Sequence, residues 1–156
     1  MLVQAQLLIH APSSTIWAAI SDIEHAAEII SGIQSIEILE RPAQGLVGLK
    51  WRETRMLFGK PASADKWITE AVENEFYKTR AESDGFVFLS TLGISENSGG
   101  SEGGMRLTSI HDSQPQSFAT KLISIPMTLL FKGVAKKALM QDLNDIKSAV
   151  EKKKKA

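Results

Sequence analysis

The chain has no cysteine among its 156 residues. That excludes disulfides, thiolate metal centres and a cysteine nucleophile, and it fits a reducing cytoplasm. Its three histidines, His10, His25 and His111, lie far apart with no ligand-like spacing, so no metal site is expected. Aromatic residues make up only 6% and do not interleave with a basic stripe, which argues against a single-stranded nucleic-acid groove. The 18 lysines and arginines balance 18 aspartates and glutamates, so there is no overall pull toward nucleic acid of any kind. No stretch approaches the roughly 20 apolar residues of a membrane span. Residues 1–12 lack the basic start and long apolar run of a signal peptide. Neither a Gly-x-Ser-x-Gly elbow nor a dinucleotide or Walker fingerprint occurs, and the glycine-rich segment 97–104 has no following Lys-Ser/Thr, so no cofactor is expected. The location these absences favour is cytoplasmic.

What is present is the composition of one ordinary domain, with 43% hydrophobic and 23% charged residues. Val3, Ala5, Leu7 and Ile9 alternate as in a strand that Pro12 ends. Ser13 or Ser14 then caps a helix through Ile20, and a second short helix covers Glu24–Ile30, with Gly32 as its terminator. From Ile33 the period changes toward two. Candidate strands are 34–40, 49–58, 64–73, 76–82, 86–94 and 105–111, separated by short turn-rich breaks that imply hairpins. A long helix closes the chain. It starts between Phe118 and Pro126, with Pro126 suited to a first turn. Its second half shows a one-sided seam of Leu139, Leu143, Ile146 and Val150. Its first half, around Met127, Leu129, Leu130 and Phe131, is apolar nearly all round and must be covered by protein, partner or ligand. Residues 1–151 form one α+β domain, and Lys152–Lys155 within 152–156 read as a solvated basic tail. Residues 126–156 hold eight lysines against three acids, leaving a weak anionic-membrane contact as the tail's alternative role, with no stable insertion.

Four phrases in this order carry a family likeness: Ile9-His10-Ala11-Pro12-Ser13-Ser14-Thr15-Ile16-Trp17, Ser21-Asp22-Ile23-Glu24, Gly48-Leu49-Lys50-Trp51-Arg52-Glu53-Thr54-Arg55, and Asp142-Leu143-Asn144-Asp145-Ile146-Lys147. The chain resembles the START-like or SRPBCC superfamily of polyketide cyclase/dehydrase and lipid-transport proteins. The resemblance implies the helix-grip fold: a curved, seven-stranded antiparallel sheet around a long C-terminal helix, with two short helices after the first strand. It also implies a cavity between sheet and helix for a small hydrophobic or amphipathic molecule.

The strand 49–58 supplies the candidate chemistry. Alternation puts Trp51, Glu53, Arg55 and Leu57 on one face. If that face lines the cavity, Glu53 and Arg55 orient a polar head group or serve acid/base chemistry. If it faces solvent, they are a surface pair of little worth. The tendency of Trp51 toward burial favours the inward reading. Tyr77, Met105 and His111 are further candidates on other strands, and Met127, Leu130, Phe131 and Val134 on the helix. Three functions fit. One is a carrier or sensor for a hydrophobic ligand, and another is a cyclase or dehydratase using Glu53, or less readily His111. The third is a non-catalytic module that forms a homodimer through the apolar helix start.

Overall fold

The computed structural model describes residues 1–97 and 104–155, and within the last helix the side chains of 131–152. The chain begins with strand β1 (Leu2–Ile9) and helix α1 (Ser13–Ile20), followed by a 3₁₀ turn (Ile23–His25) and the single-turn helix α2 (Ala26–Ile29). Strands β2 (Ile33–Glu40), β3 (Lys50–Leu57), β4 (Lys60–Val72), β5 (Phe76–Ser83), β6 (Phe86–Glu96) and β7 (Met105–Pro115) precede the long helix α3 (Phe118–Lys155). The seven strands form one antiparallel sheet in the order β1-β7-β6-β5-β4-β3-β2. The meander thus returns its last strand to the side of the first.

Register shifts between Ile33 and Ser35, between Ile38 and Glu40, and between Ile68 and Glu70 are bulges, which bend a sheet and increase its twist. The sheet grips α3, and the α1–α2 segment closes one end. This is the helix-grip layout of a START-like domain. One core cluster joins Ile9, Ile16, Leu107, Leu143, Ile146 and Val150, welding β1, α1 and β7 to the second half of α3. A smaller cluster of Ile23, Leu49, Trp51 and Ile68 lies under the other half of the sheet. Polar fasteners hold the helix as well: Lys147 Nζ donates to the Leu8 carbonyl at 2.7 Å, and Ser31 donates N–H and hydroxyl to Asp145.

Several local expectations change. Neither Ser13 nor Ser14 caps α1. Pro12 occupies that position, and its carbonyl accepts from Thr15 and Ile16 N–H. The expected helix over Glu24–Ile30 is split into a 3₁₀ turn and one α-turn. Pro126 is not in a first turn, because α3 already begins at Phe118; its missing N–H there costs an interior helix bond. Helix α3 also continues through Lys155, so most of the expected basic tail is helical backbone. Pro61, read as part of a break, lies inside β4 opposite Met56. It is tolerated because β4 pairs with β5 only from Lys66 onward, leaving that edge of the hairpin open. The β3–β4 hairpin therefore overhangs the sheet and turns tightly through Phe58 and Gly59, at φ 52° and 79°. Phe58 is 76% exposed at its tip.

Candidate functional site

Between the sheet and α3 lies a cavity of about 510 Å³. Strand alternation and helix phase decide what reaches it. On β3, Trp51, Glu53, Arg55 and Leu57 all face it. On α3, Ala135, Ala138, Leu139, Asp142, Leu143 and Ile146 face it at helical spacing. Isoleucines 20, 23, 29 and 30 close the end. Most of this wall is apolar.

One side of the wall is charged. Glu53, only 7% exposed, receives Lys66 Nζ at 2.7 Å and Arg55 Nε at 2.9 Å. Arg55 also donates from Nη1 and Nη2 to Asp142 at 3.2 and 2.8 Å, a two-pronged tie between sheet and helix. Burial pushes the Glu53 carboxyl up, but the Lys66 and Arg55 cations overcome it and bring its pKa down to about 2. Burial likewise opposes the Arg55 charge, while Asp142 and Glu53 hold the guanidinium firmly protonated. Gly32 makes room for this pair. A Cβ there would sit 3.0 Å from Arg55 Nη1 and 3.5 Å from Asp142 Oδ1. Its glycine thus serves a close approach rather than the helix ending expected of it.

A further acid of the wall, Asp84, is exposed at the turn between β5 and β6; two other polar groups, His111 and Tyr77, are neutral. His111 lies against Phe88 with ring centroids 5.9 Å apart and shares a 2.8 Å hydrogen bond between Nδ1 and Ser90 Oγ. Burial, reinforced by Lys66 and Arg55, lowers its pKa to about 4, so it is uncharged at neutral pH. Tyr77 packs edge-on against Trp17. Burial and the carboxylates of Glu53 and Asp142 raise its pKa, keeping the hydroxyl protonated.

Of the residues singled out in the sequence, Trp51, Glu53, Arg55, Tyr77 and His111 converge on this cavity. Others lie elsewhere. Met105 shares the β7 face of Ser109 and His111 but sits where that face has passed into the packed core around Ile9 and Leu107. Phe131 is one turn before Ala135 and meets Phe58 of the hairpin tip, centroids 5.3 Å apart, rather than lining the wall. Val134 is turned by about 100° from Ala135 and is 52% exposed. The side chains of Met127 and Leu130 lie outside the described residues. Trp67 is on the opposite face of β4 from Lys66 and Ile68, beneath the Lys50 ammonium at 5.7 Å. Sequence reasoning missed Lys66 and Asp142. The one available signal was Asp142's place on the apolar stripe of Leu139, Leu143 and Ile146.

Among the described residues no three histidines or acids are placed to hold a metal ion, and no helix is long and apolar enough to cross a membrane.

Comparison with known proteins places this architecture. None of the curated proteins compared with the chain matches it. Among solved structures, a START superfamily protein from Mycobacterium smegmatis superposes with a TM-score of 0.75 at 19% identity, covering 97% of both chains. The Zhui aromatase/cyclase from Streptomyces sp. R1128 gives 0.72 at 16% identity over 97% of this chain and 93% of its own. The di-domain ARO/CYC StfQ of the steffimycin biosynthetic pathway gives 0.79 at 9% identity, with 99% of this chain matching 52% of that one. At such identities these likenesses concern the fold. The family model for polyketide cyclase/dehydrase and lipid transport matches residues 9–140, and the chain accordingly belongs to that family.

Proposed function

We propose that this protein binds a small, largely apolar molecule in the cavity between sheet and α3, as a carrier or sensor. The observation that carries the reading is the cavity itself. Close-packed interiors leave few voids larger than a water molecule, whereas about 510 Å³ lies in the range of small-molecule sites. Its wall is mostly apolar, and the charges of Glu53, Arg55, Lys66 and Asp142 in it pair with one another. Native mass spectrometry of the purified protein, with extraction of co-purified small molecules, tests the reading directly. An environment-sensitive apolar dye is expected to bind saturably at micromolar affinity, about 8 kcal/mol, and to raise the melting temperature by mass action. Absence of saturable binding across a panel of apolar and aromatic probes, with well-folded protein, refutes it.

The second reading is an enzyme of the cyclase or dehydratase type; the Zhui aromatase/cyclase is among the structural neighbours. Glu53 suits it poorly: a carboxylate with a pKa of about 2, clamped by two cations, is a weak base. The observation in its favour is the Ser90–His111 pair in the wall, since a neutral imidazole can take up a proton. Turnover that vanishes in His111→Gln while ligand affinity stays unchanged would establish this reading over the first.

A further inference from the structure

Several large apolar side chains gather in water at one end of the molecule. Met56, Leu57 and Phe58 at the tip of the β3–β4 hairpin are 50%, 52% and 76% exposed, and Val134 of α3 is 52% exposed. The ring contact between Phe58 and Phe131 joins hairpin and helix. The charge around them has one sign. Lys60 on the hairpin and Lys132, Lys136 and Lys137 on the helix are exposed, and none of the four has an ion-pair partner among the described residues. No acid occurs between Glu53 and Asp65, nor in α3 before Asp142. Nearby, Asp65 and Glu82 are paired with Arg52 and Arg80, and Asp84 stands at the β5–β6 turn. Beyond the Lys66–Ala81 pair, β4 runs six residues to Lys60 and β5 only two to Ser83. The hairpin therefore overhangs that turn by four residues, about 13 Å at 3.3 Å each. This exceeds the roughly 8 Å Debye length at physiological ionic strength, so Asp84 is screened from the tip.

We propose that this end of the molecule docks on an anionic lipid surface, with Phe58 and its neighbours entering the head-group layer and the four lysines facing acidic head groups. An exposed apolar point ringed by cations is what such a surface complements. A nucleic acid would match the lysines and leave the tip in water. A second copy of the chain fits poorly. A two-fold interface brings the same patch together from both subunits and would set lysines against lysines. A tip that stands clear of the sheet also offers little flat area to a folded partner, whereas a head-group layer yields around it. The surface adjoins the cavity: Leu57 and Ala62 of the hairpin and Ala135 of α3 belong to its lining. Docking therefore sets the rim of the cavity against the lipid.

Co-sedimentation of the full chain with vesicles tests this surface without any cavity ligand, so its outcome is independent of the binding reading. Vesicles of phosphatidylcholine with about 30% phosphatidylserine should bind the protein at low salt at least about tenfold more tightly than phosphatidylcholine alone. Raising the salt should weaken the contact. At about fivefold per lysine, Lys136→Ala combined with Lys137→Ala should weaken it about 25-fold. Phe58→Asn should weaken it about tenfold. Asparagine adopts the φ of 52° at that position with little strain, and an unchanged melting temperature checks the fold. Deletion of residues 153–156 should alter binding by no more than about twofold. In otherwise unaltered protein, the indole introduced by Phe58→Trp should be quenched by vesicles with brominated acyl chains. The inference falls if the phosphatidylserine vesicles do not bind or bind no better than phosphatidylcholine. It falls if neither the lysine nor the Phe58→Asn variant weakens binding, or if the brominated lipid does not quench. Loss of binding on deletion of 153–156 overturns it by assigning the contact to the chain's end. A concentration-dependent dimer in sedimentation velocity that Phe58→Asn breaks overturns it by assigning the patch to a second copy.

Discussion

Glu53 offers the sharpest test of the site's electrostatics. It is 7% exposed and bonded to two cations. Replacing it with alanine strands Lys66 and Arg55 facing an apolar wall. Breaking a buried pair from one side costs about 3–5 kcal/mol. The lower end applies here, because the Lys66 and Arg55 side chains keep 25% and 26% of their surface in water and Arg55 retains Asp142. The expected loss for Glu53→Ala is therefore about 3 kcal/mol. Titration gives an independent figure. A carboxyl whose pKa falls from 4.5 to about 2 on folding contributes about 3 kcal/mol at neutral pH. With the folded pKa depressed, the unfolded chain binds the proton more readily. The contribution is therefore complete well above pH 4.5 and is lost as the pH falls toward 2. Between pH 5 and pH 3 it declines by about 2 kcal/mol. Urea melts of wild type and Glu53→Gln across that interval should converge by this amount as the solution is acidified. Melts of Glu53→Ala that overlay wild type at pH 7, or stability profiles of Glu53→Gln and wild type that run parallel, would refute the buried, doubly paired carboxylate.

Asp142→Asn removes the anionic end of the sheet-to-helix tie and should cost about 2–3 kcal/mol in the same melts, leaving Arg55 with Glu53 alone. Gly32→Ala places a methyl 3.0 Å from Arg55 Nη1 and should lower stability by about 1 kcal/mol, an effect that vanishes if Arg55 is first replaced by methionine. His111 has its pKa lowered from 6.5 to about 4, so protonation favours the unfolded chain and stability falls as pH drops through that window; His111→Gln should flatten that segment of the profile and leave the lower one, due to Glu53, in place. Deletion of residues 153–156 should leave the melting temperature unchanged, since the buried seam of α3 ends at Val150, and a loss of several degrees would show that the end of the chain packs.

The order of elements was legible because each one's periodicity is local. The period-two alternation of 2–9 and 33–40 and the helical seam from Leu139 to Val150 need no distant partner to be recognised. The errors fell where a residue's usual local meaning gave way to its tertiary one. Pro61 normally marks a break, but here it lies on the open edge of an overhanging hairpin. Gly32 normally ends a helix, but here it yields space to an arginine from another strand. Pro126 normally opens a helix, yet α3 begins eight residues before it.

The site was less legible than the fold for a reason that can be traced to one turn. With strands ending at Phe58 and resuming at Ala64, as the sequence suggests, pairing those two residues would set Glu53 opposite Thr69 and Lys66 opposite Met56. The actual turn is only Phe58 and Gly59, so Leu57 pairs with Lys60, Glu53 falls opposite Ala64, and Trp51 falls opposite Lys66. Lys66 then lies diagonally across from Glu53 on the same face, within reach of a long side chain. A few residues of hairpin length thus decide whether Glu53 has one cation or two, and through that whether its carboxylate is a base or a clamp. Asp142 depends on a still longer link, 87 residues from Arg55, fixed only once the phase of α3 against the sheet is fixed. Its position on an apolar stripe is the mark such a residue leaves in a sequence: an acid where the helix should be buried, with its cation to be sought on the sheet that covers it.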